Sequence, residues 1–310
     1  MTGLSNAIIF HQYDISPFSE KVRTAFAIKG LEWYAVNQPV IMPKPELLAL
    51  TGGYRKIPVM QIGADIYCDS QIILRELERR FPTPSLHVGE DKGLSWGLGM
   101  WTDRTFFQTV IPIIFGYVGK HITPEFKQDR EAMSGRPFDV AAMAAAAPLM
   151  ADQLRAQIDW LEAQLGDGRP FLLGEKPGLA DVNVYYNFAF VRWSHPGALD
   201  FLKGYPHVAQ WEARIKNLGH GERKELSRED ALDIARDAAP MTEPYTDEGE
   251  PNGLKTGDNI SVMADDYGRD PIRGELVSSS AQHIALKRTD PRVGEVVVHF
   301  PRAGFFVMKG

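Results

Sequence analysis

Between positions 8 and 81 the sequence alternates strand-like and helix-like runs in an order that few folds accommodate. Ile8-Ile9-Phe10 is an apolar run of buried-strand character. Ser16-Pro17 then opens a helix over 17–29, with proline in the first turn, where a missing N–H costs nothing, and Gly30 as its stop. A second strand follows over 31–38, then a Pro-rich loop, a short helix over 45–50, and a hairpin of 57–62 with 65–68 around Gly63. A last helix over 70–80 carries its apolar face on Ile73, Leu74 and Leu77. The order βαβαββα predicts a mixed sheet with helices laid on it.

Past Pro82-Thr83-Pro84, which reads as a rigid linker, helical spacing dominates: 94–117, 149–165, 179–193, 207–218 and 228–238, with the Ala-rich run 140–147 also helical. Pro112 and Pro148 are expected to kink or delimit their helices. From Pro240 the texture becomes acidic and rich in Pro and Gly, as in a linker. Beyond it, β-branched runs at 259–263, 274–277, 283–286 and 295–300 predict a small all-β module. The expected domains are therefore 1–84, 85–239 and 257–310, with 240–256 as linker. No internal repeat is present.

Composition removes several function classes. Acidic residues outnumber basic ones 40 to 34, a net charge of -6, which gives no general attraction for nucleic acid or anionic lipid. The one cysteine, Cys68, precludes an intrachain disulfide framework and fits a reducing, cytoplasmic setting. No stretch approaches the roughly 20 apolar residues of a membrane span. The histidines lack metal-ligand spacing, so no metal site is expected. The glycines of 93–99 lack the preceding strand of a dinucleotide loop, and the acidic residues of 265–270 miss the alternation of a calcium loop and read as a turn.

What remains points to a small thiol peptide held by its backbone. A proline opening a strand, as in Ile57-Pro58, is a candidate for a cis bond that presents the Ile57 backbone outward. Asp69-Ser70 opens the next helix. One extended peptide could pair its cysteine with Ile57, place its α-carboxylate on Ser70 and the helix N–H groups, and give its ammonium to Asp69. Glutathione is the leading candidate. Ser16 would stand where N–H groups of the first helix are unpaired, and its hydroxyl could donate to a bound thiolate; its plainer role is to cap that helix. Tyr13 is an alternative hydroxyl. Cys68 is expected to be a small core residue and Asp181 to cap a helix. Trp96, Met100, Trp101, Arg104 and Phe107 wall either an electrophile pocket or the helix core, and the sequence does not choose between the two.

Residues 1–238 resemble a glutathione transferase. Ser16-Pro17-Phe18-Ser19-Glu20-Lys21-Val22-Arg23 is similar to the Ser-Ser-Cys-Ser start of zeta-class enzymes and the Cys-Pro-Phe start of omega-class ones, which puts Ser16 on their catalytic position. Lys44 is similarly placed to an omega-class lysine that contacts glutathione. Gly178 stands where the family's capping box has Ser or Thr. The resemblance implies an α/β thioredoxin-like domain followed by an all-α domain, with Ser16 catalytic and Phe18, Lys44, Ile57, Pro58, Asp69 and Ser70 binding glutathione as co-substrate. It also implies a homodimer acting on a small apolar electrophile in detoxification. Serine in place of cysteine points to conjugation, thiol addition or isomerisation rather than mixed-disulfide chemistry. The alternative is a non-catalytic binding protein of the same fold that uses the β module to dock a partner.

Overall fold

The βαβαββα order is present in the computed structural model, which describes residues 4–89, 91 and 93–310. Its elements are β1 (Ile9–Gln12), α1 (Pro17–Lys29), β2 (Glu32–Asn37), α2 (Pro45–Thr51), β3 (Val59–Ile62), β4 (Asp65–Cys68) and α3 (Ser70–Arg80). β1 pairs in parallel with β2 and antiparallel with β3, and β3 pairs antiparallel with β4. Ser16 caps α1 by accepting from the Ser19 N–H at 3.2 Å, and Gly30 ends the helix at φ 61. Phe10 meets the edges of Phe26 and Trp33 at 5.1 and 5.6 Å in the core between sheet and helices.

One polar residue in this core carries a pH dependence. His11 Nε2 lies 3.0 Å from Gln61 Oε1, while the Gln61 amide donates to the carbonyls of Gly63 and Ala231, so the imidazole must donate at Nε2. Burial lowers its pKa to about 4 and keeps it neutral. Between pH 6.5 and 4 the unfolded chain takes up a proton that the folded one does not, so stability falls with pH across that window. Urea unfolding at pH 4.5 rather than 7.5 should show a loss of about 2.5 kcal/mol from this group, at ~1.4 kcal/mol per pH unit, and His11→Asn should remove that part of the slope.

The second unit comprises α4 (Leu94–Trp101), α5 (Phe107–Val118), α6 (Pro124–Ser134), α7 (Val140–Leu165), α8 (Leu179–Ser194) and α9 (Pro206–Asn217). The expected helix over 94–117 is divided by a π-helical turn, Thr102–Phe106, while Pro112 and Pro148 lie inside α5 and α7. Tight packing of α5 on α7 outweighs the one backbone bond that each proline removes. A Cβ on Gly116 would stand 2.9 Å from Ala144 Cα, so only small residues allow this approach, which accounts for the alanine run. Gly178 is required for a similar reason. A Cβ there would meet the Leu86 carbonyl at 2.7 Å, and that carbonyl accepts from the Leu179 N–H, so a backbone group does what a capping side chain would do. Asp181 is structural: buried, it accepts from Gly178 N, Leu172 N and Trp211 Nε1.

The remaining residues join the first unit's sheet rather than forming separate bodies. β5 (Glu222–Glu225) pairs in parallel with β2, and α10 (Arg228–Asp237) is the expected helix but packs on α2 and β2, so this end of the expected helical unit sits with the sheet. β6 (Tyr245–Thr246) pairs with β8 inside the stretch expected to be a linker, where Leu254 is buried and Glu250 accepts from Ser279 Oγ. β7 (Asn259–Ala264), β8 (Ile272–Ser279), β9 (His283–Asp290), β10 (Gly294–Pro301) and β11 (Phe305–Lys309) form the C-terminal strand region. β10 runs parallel to β4, giving a continuous order β11-β7-β8-β9-β10-β4-β3-β1-β2-β5. At the joint His299 stacks on Tyr67 at 4.3 Å and lies 3.0 Å from Asp65, which also accepts from Thr242 and Met241. One hydrophobic core crosses it, placing Leu47, Leu50 and Ile66 against Leu286, Val298 and Phe300.

Candidate active site

Two adjoining cavities lie where the sheet, the helical unit and the C-terminal strands meet. The narrower, about 80 Å³, is bordered by Ile57, Pro58, Asp69, Ser70, Met100 and Arg104. The larger, about 600 Å³, reaches Ser16, Lys44, Arg55 and Arg130 at its polar end and is mostly apolar beyond them, with Phe107, Ile111, Phe115, Val118 and Phe190 on its walls. Phe18, Lys56, Ile57 and Tyr267 border both.

The narrow cavity is built by two chain turns. The Ile57–Pro58 bond is cis. The Ile57 N–H and C=O make no hydrogen bond among the described residues although the residue is 9% exposed, an uncommitted donor and acceptor side by side. Asp69 sits at φ 99, ψ 140, a region that costs a non-glycine residue about 1–3 kcal/mol. Among the described residues it is the one non-glycine with positive φ. That backbone lets its carboxylate cap α3 by accepting from Gln71 N at 2.8 Å. Burial raises its pKa, so an arriving cation would be welcome there. Ser70 is buried in the first turn of α3, beside unpaired helix N–H groups that favour an anion.

The larger cavity holds the other polar residues at one end. Ser16 Oγ uses a lone pair on Ser19 N and its own O–H has no acceptor among the described residues, so it is free to donate. Lys44 is 3% exposed, has no carboxylate among the described residues within ion-pair distance, and donates to Arg55 O at 3.2 Å. Burial, with Arg130 and Arg55 close by, lowers its pKa to about 8. Asp129, which pairs with both arginines, leaves this corner with excess positive charge.

The structure thus brings Ser16, Phe18, Lys44, Ile57, Pro58, Asp69 and Ser70 to one cleft, divided between its two cavities. Phe18 packs on Phe107 at 4.9 Å and Tyr186 at 5.1 Å, pinning α1 to the helical unit. Lys21 and Asp103 complete that joint at 2.8 Å. Tyr13 also borders the larger cavity. The five residues left open in the first helices divide: Met100 and Arg104 border the narrow cavity and Phe107 the larger, whereas Trp96 stacks on Arg75 and Trp101 on Phe106. Cys68 is fully buried, with its thiol pushed up by burial. No group of His, Cys, Asp or Glu among the described residues could hold a metal, and no helix of the described residues is long and apolar enough to cross a membrane. Sequence reasoning missed Lys56, Asp266, Tyr267, Gly304 and Phe305. The acidic turn at 265–270 was visible, but nothing local to it says that it faces Ile57, some two hundred residues away.

Residues 10–85 match the family model for the glutathione S-transferase N-terminal domain, and residues 138–214 match that for the C-terminal domain. The crystal structure of a GST-like protein from Pseudomonas syringae is 35% identical, with a TM-score of 0.83, and the match covers 98% of this chain and all of that one. Such coverage includes counterparts of the C-terminal strands. A probable glutathione S-transferase of Oryza sativa, GSTU1, is 27% identical over 212 residues, 67% of this chain and 84% of its own. A probable glutathione S-transferase of Solanum tuberosum is 32% identical over 71 residues, so this chain spans about a third (33%) of that relative's length.

Proposed function

This chain belongs to the glutathione S-transferase family, and from that premise we propose that it is a serine-type transferase that activates glutathione for attack on an apolar electrophile. The observation that carries the reading is the uncommitted backbone pair of Ile57, which borders both a polar cavity and an apolar one. An extended tripeptide pairs its cysteine there as an added strand would. Its γ-glutamyl end goes to Asp69, Ser70 and the α3 N-terminus, which offer a carboxylate for its ammonium and donors for its carboxylate. Its glycyl carboxylate goes to Lys44, where the surplus charge is positive. Phe18 and Pro58 supply walls.

The thiol then lies beside Ser16 at the start of α1. A free thiol is mostly protonated at pH 7; a helix N-terminus and one O–H donor lower its pKa by about one to several units, so a thiolate forms without a protein base in permanent contact. The apolar walls of the larger cavity hold the electrophile and exclude water from the attack. A homodimer in the cytoplasm is part of this reading.

Calorimetric titration with reduced glutathione tests it. One binding event per chain is expected, with S-methyl glutathione binding comparably, and conjugate should form with small apolar electrophiles. Absence of heat with reduced glutathione would overturn the proposal.

A further inference from the structure

The turn between β7 and β8 crosses from the sheet to the helical unit and is held at several points. Gly268 N–H donates to Met133 O at the end of α6 at 2.8 Å. Asp265 pairs with Arg104 of the π turn at 2.5 Å, and Lys56 Nζ donates to Asp266 at 3.0 Å and to the Tyr267 carbonyl at 3.1 Å. These contacts fix Tyr267 between them, with its ring 4.8 Å from Lys56 Nζ. Gly304, in the turn leading into β11, and Phe305, the first residue of that strand, border the same narrow cavity. The C-terminal strands therefore build part of the cleft wall.

Tyr267 borders both cavities, as do Phe18, Lys56 and Ile57. Their seam is where a sulfur aligned by the Ile57 backbone meets a carbon held in the apolar cavity. Of the side chains at that seam, Phe18 is apolar and Lys56 is committed to Asp266 and to the Tyr267 carbonyl. The Tyr267 phenol makes no hydrogen bond with any described residue, although its backbone N–H and C=O are both used. Burial, with Asp266 nearby, keeps the phenol protonated and so able to donate.

We propose that Tyr267 is a catalytic residue contributed by the C-terminal strand region, and that the matching substrates are apolar compounds with an alkene conjugated to a carbonyl. This rests on the glutathione reading above. The thiolate sulfur forms its bond to the β-carbon while the alkene π pair moves into the adjoining bond and the carbonyl π pair moves onto oxygen. The Tyr267 O–H donates to that developing enolate oxygen, and the α-carbon later takes a proton from water. The net change is addition of S–H across the double bond, with no redox partner. Such a donor acts because negative charge appears on the oxygen only as the reaction proceeds.

Tyr267→Phe keeps the ring on Lys56 and removes the donor alone. For an aryl enone, kcat/KM should fall about 10- to 30-fold, below the ~100- to 1,000-fold of a fully enclosed donor because the residue is only half-buried. The loss should lie in kcat. An alkyl halide, whose charge leaves on halide and not on oxygen, should react within about twofold of the parent rate, and glutathione affinity and the pH titration of the bound thiolate should be unchanged. An unchanged enone rate, or equal losses on both substrates, would overturn the proposal while leaving the glutathione reading intact. Failure of the parent protein to bind glutathione would overturn both.

Discussion

Removal of residues 257–310 is expected to abolish cooperative folding, leaving an aggregating chain with no glutathione affinity. The reason is that these strands share one core with the thioredoxin-like unit. Cutting them away exposes Leu47, Leu50, Tyr54 and Ile66, all at most 4% exposed in the intact chain. At ~1.5–3 kcal/mol for each large side chain returned to water, the sum is comparable with the whole ~5–15 kcal/mol that stabilises an ordinary domain. The cut also opens the edge of β4, whose backbone is paired to β10 through Asp65, Ile66 and Tyr67, and an open apolar edge invites pairing between chains. Thermal unfolding followed by circular dichroism, with size-exclusion chromatography, checks this. A soluble truncated chain with a sharp transition and retained glutathione binding would show that the strands are an accessory and would remove the basis for assigning Tyr267 to the site.

Ser16→Ala is expected to raise the pKa of the bound thiol by up to about two units, toward the free value of ~8.5, while leaving glutathione affinity nearly intact. Because only the thiolate attacks, the rate loss depends on pH: about 50-fold near pH 6.5, shrinking to less than twofold at pH 9, where the thiol ionises unaided. Absorbance of the bound thiolate across a pH titration, with conjugation rates at both ends of the range, gives the two numbers independently. The same substitution removes the cap on Ser19 N and should cost about 1 kcal/mol of stability, but loss of a cap alone lowers the melting temperature and does not move a thiol pKa. An unmoved thiolate titration would pass the role to Tyr13 or to the helix N-terminus.

The order of elements from β1 to α3 was legible because each has a local cause. Ser16 and Gly30 bound a helix, Gly63 turns a hairpin, and apolar runs alternate with polar punctuation. For the same reason Ser16, Ile57, Pro58, Asp69 and Ser70 could be picked out: they sit at element ends, and an end exposes unpaired backbone groups wherever it occurs. Phe18 and Lys44 were indicated only by the resemblance to glutathione transferases. The strands 259–309 were legible as strands, yet their attachment was not. That β10 lies against β4 follows from Val296, Val298 and Phe300 matching the core face of Ile66 and Cys68, a complementarity between distant segments that neither carries by itself. The π turn likewise depends on packing, since proline marked two other positions and the helix passed through both. Sequence alone therefore determined the βαβαββα order and the element ends that the proposal uses, because those are set by neighbours in the chain. Tertiary structure alone decided that the last strands widen the sheet and lay Tyr267 over the cleft, because burial of a shared core and pairing of an open edge act between residues far apart in the chain.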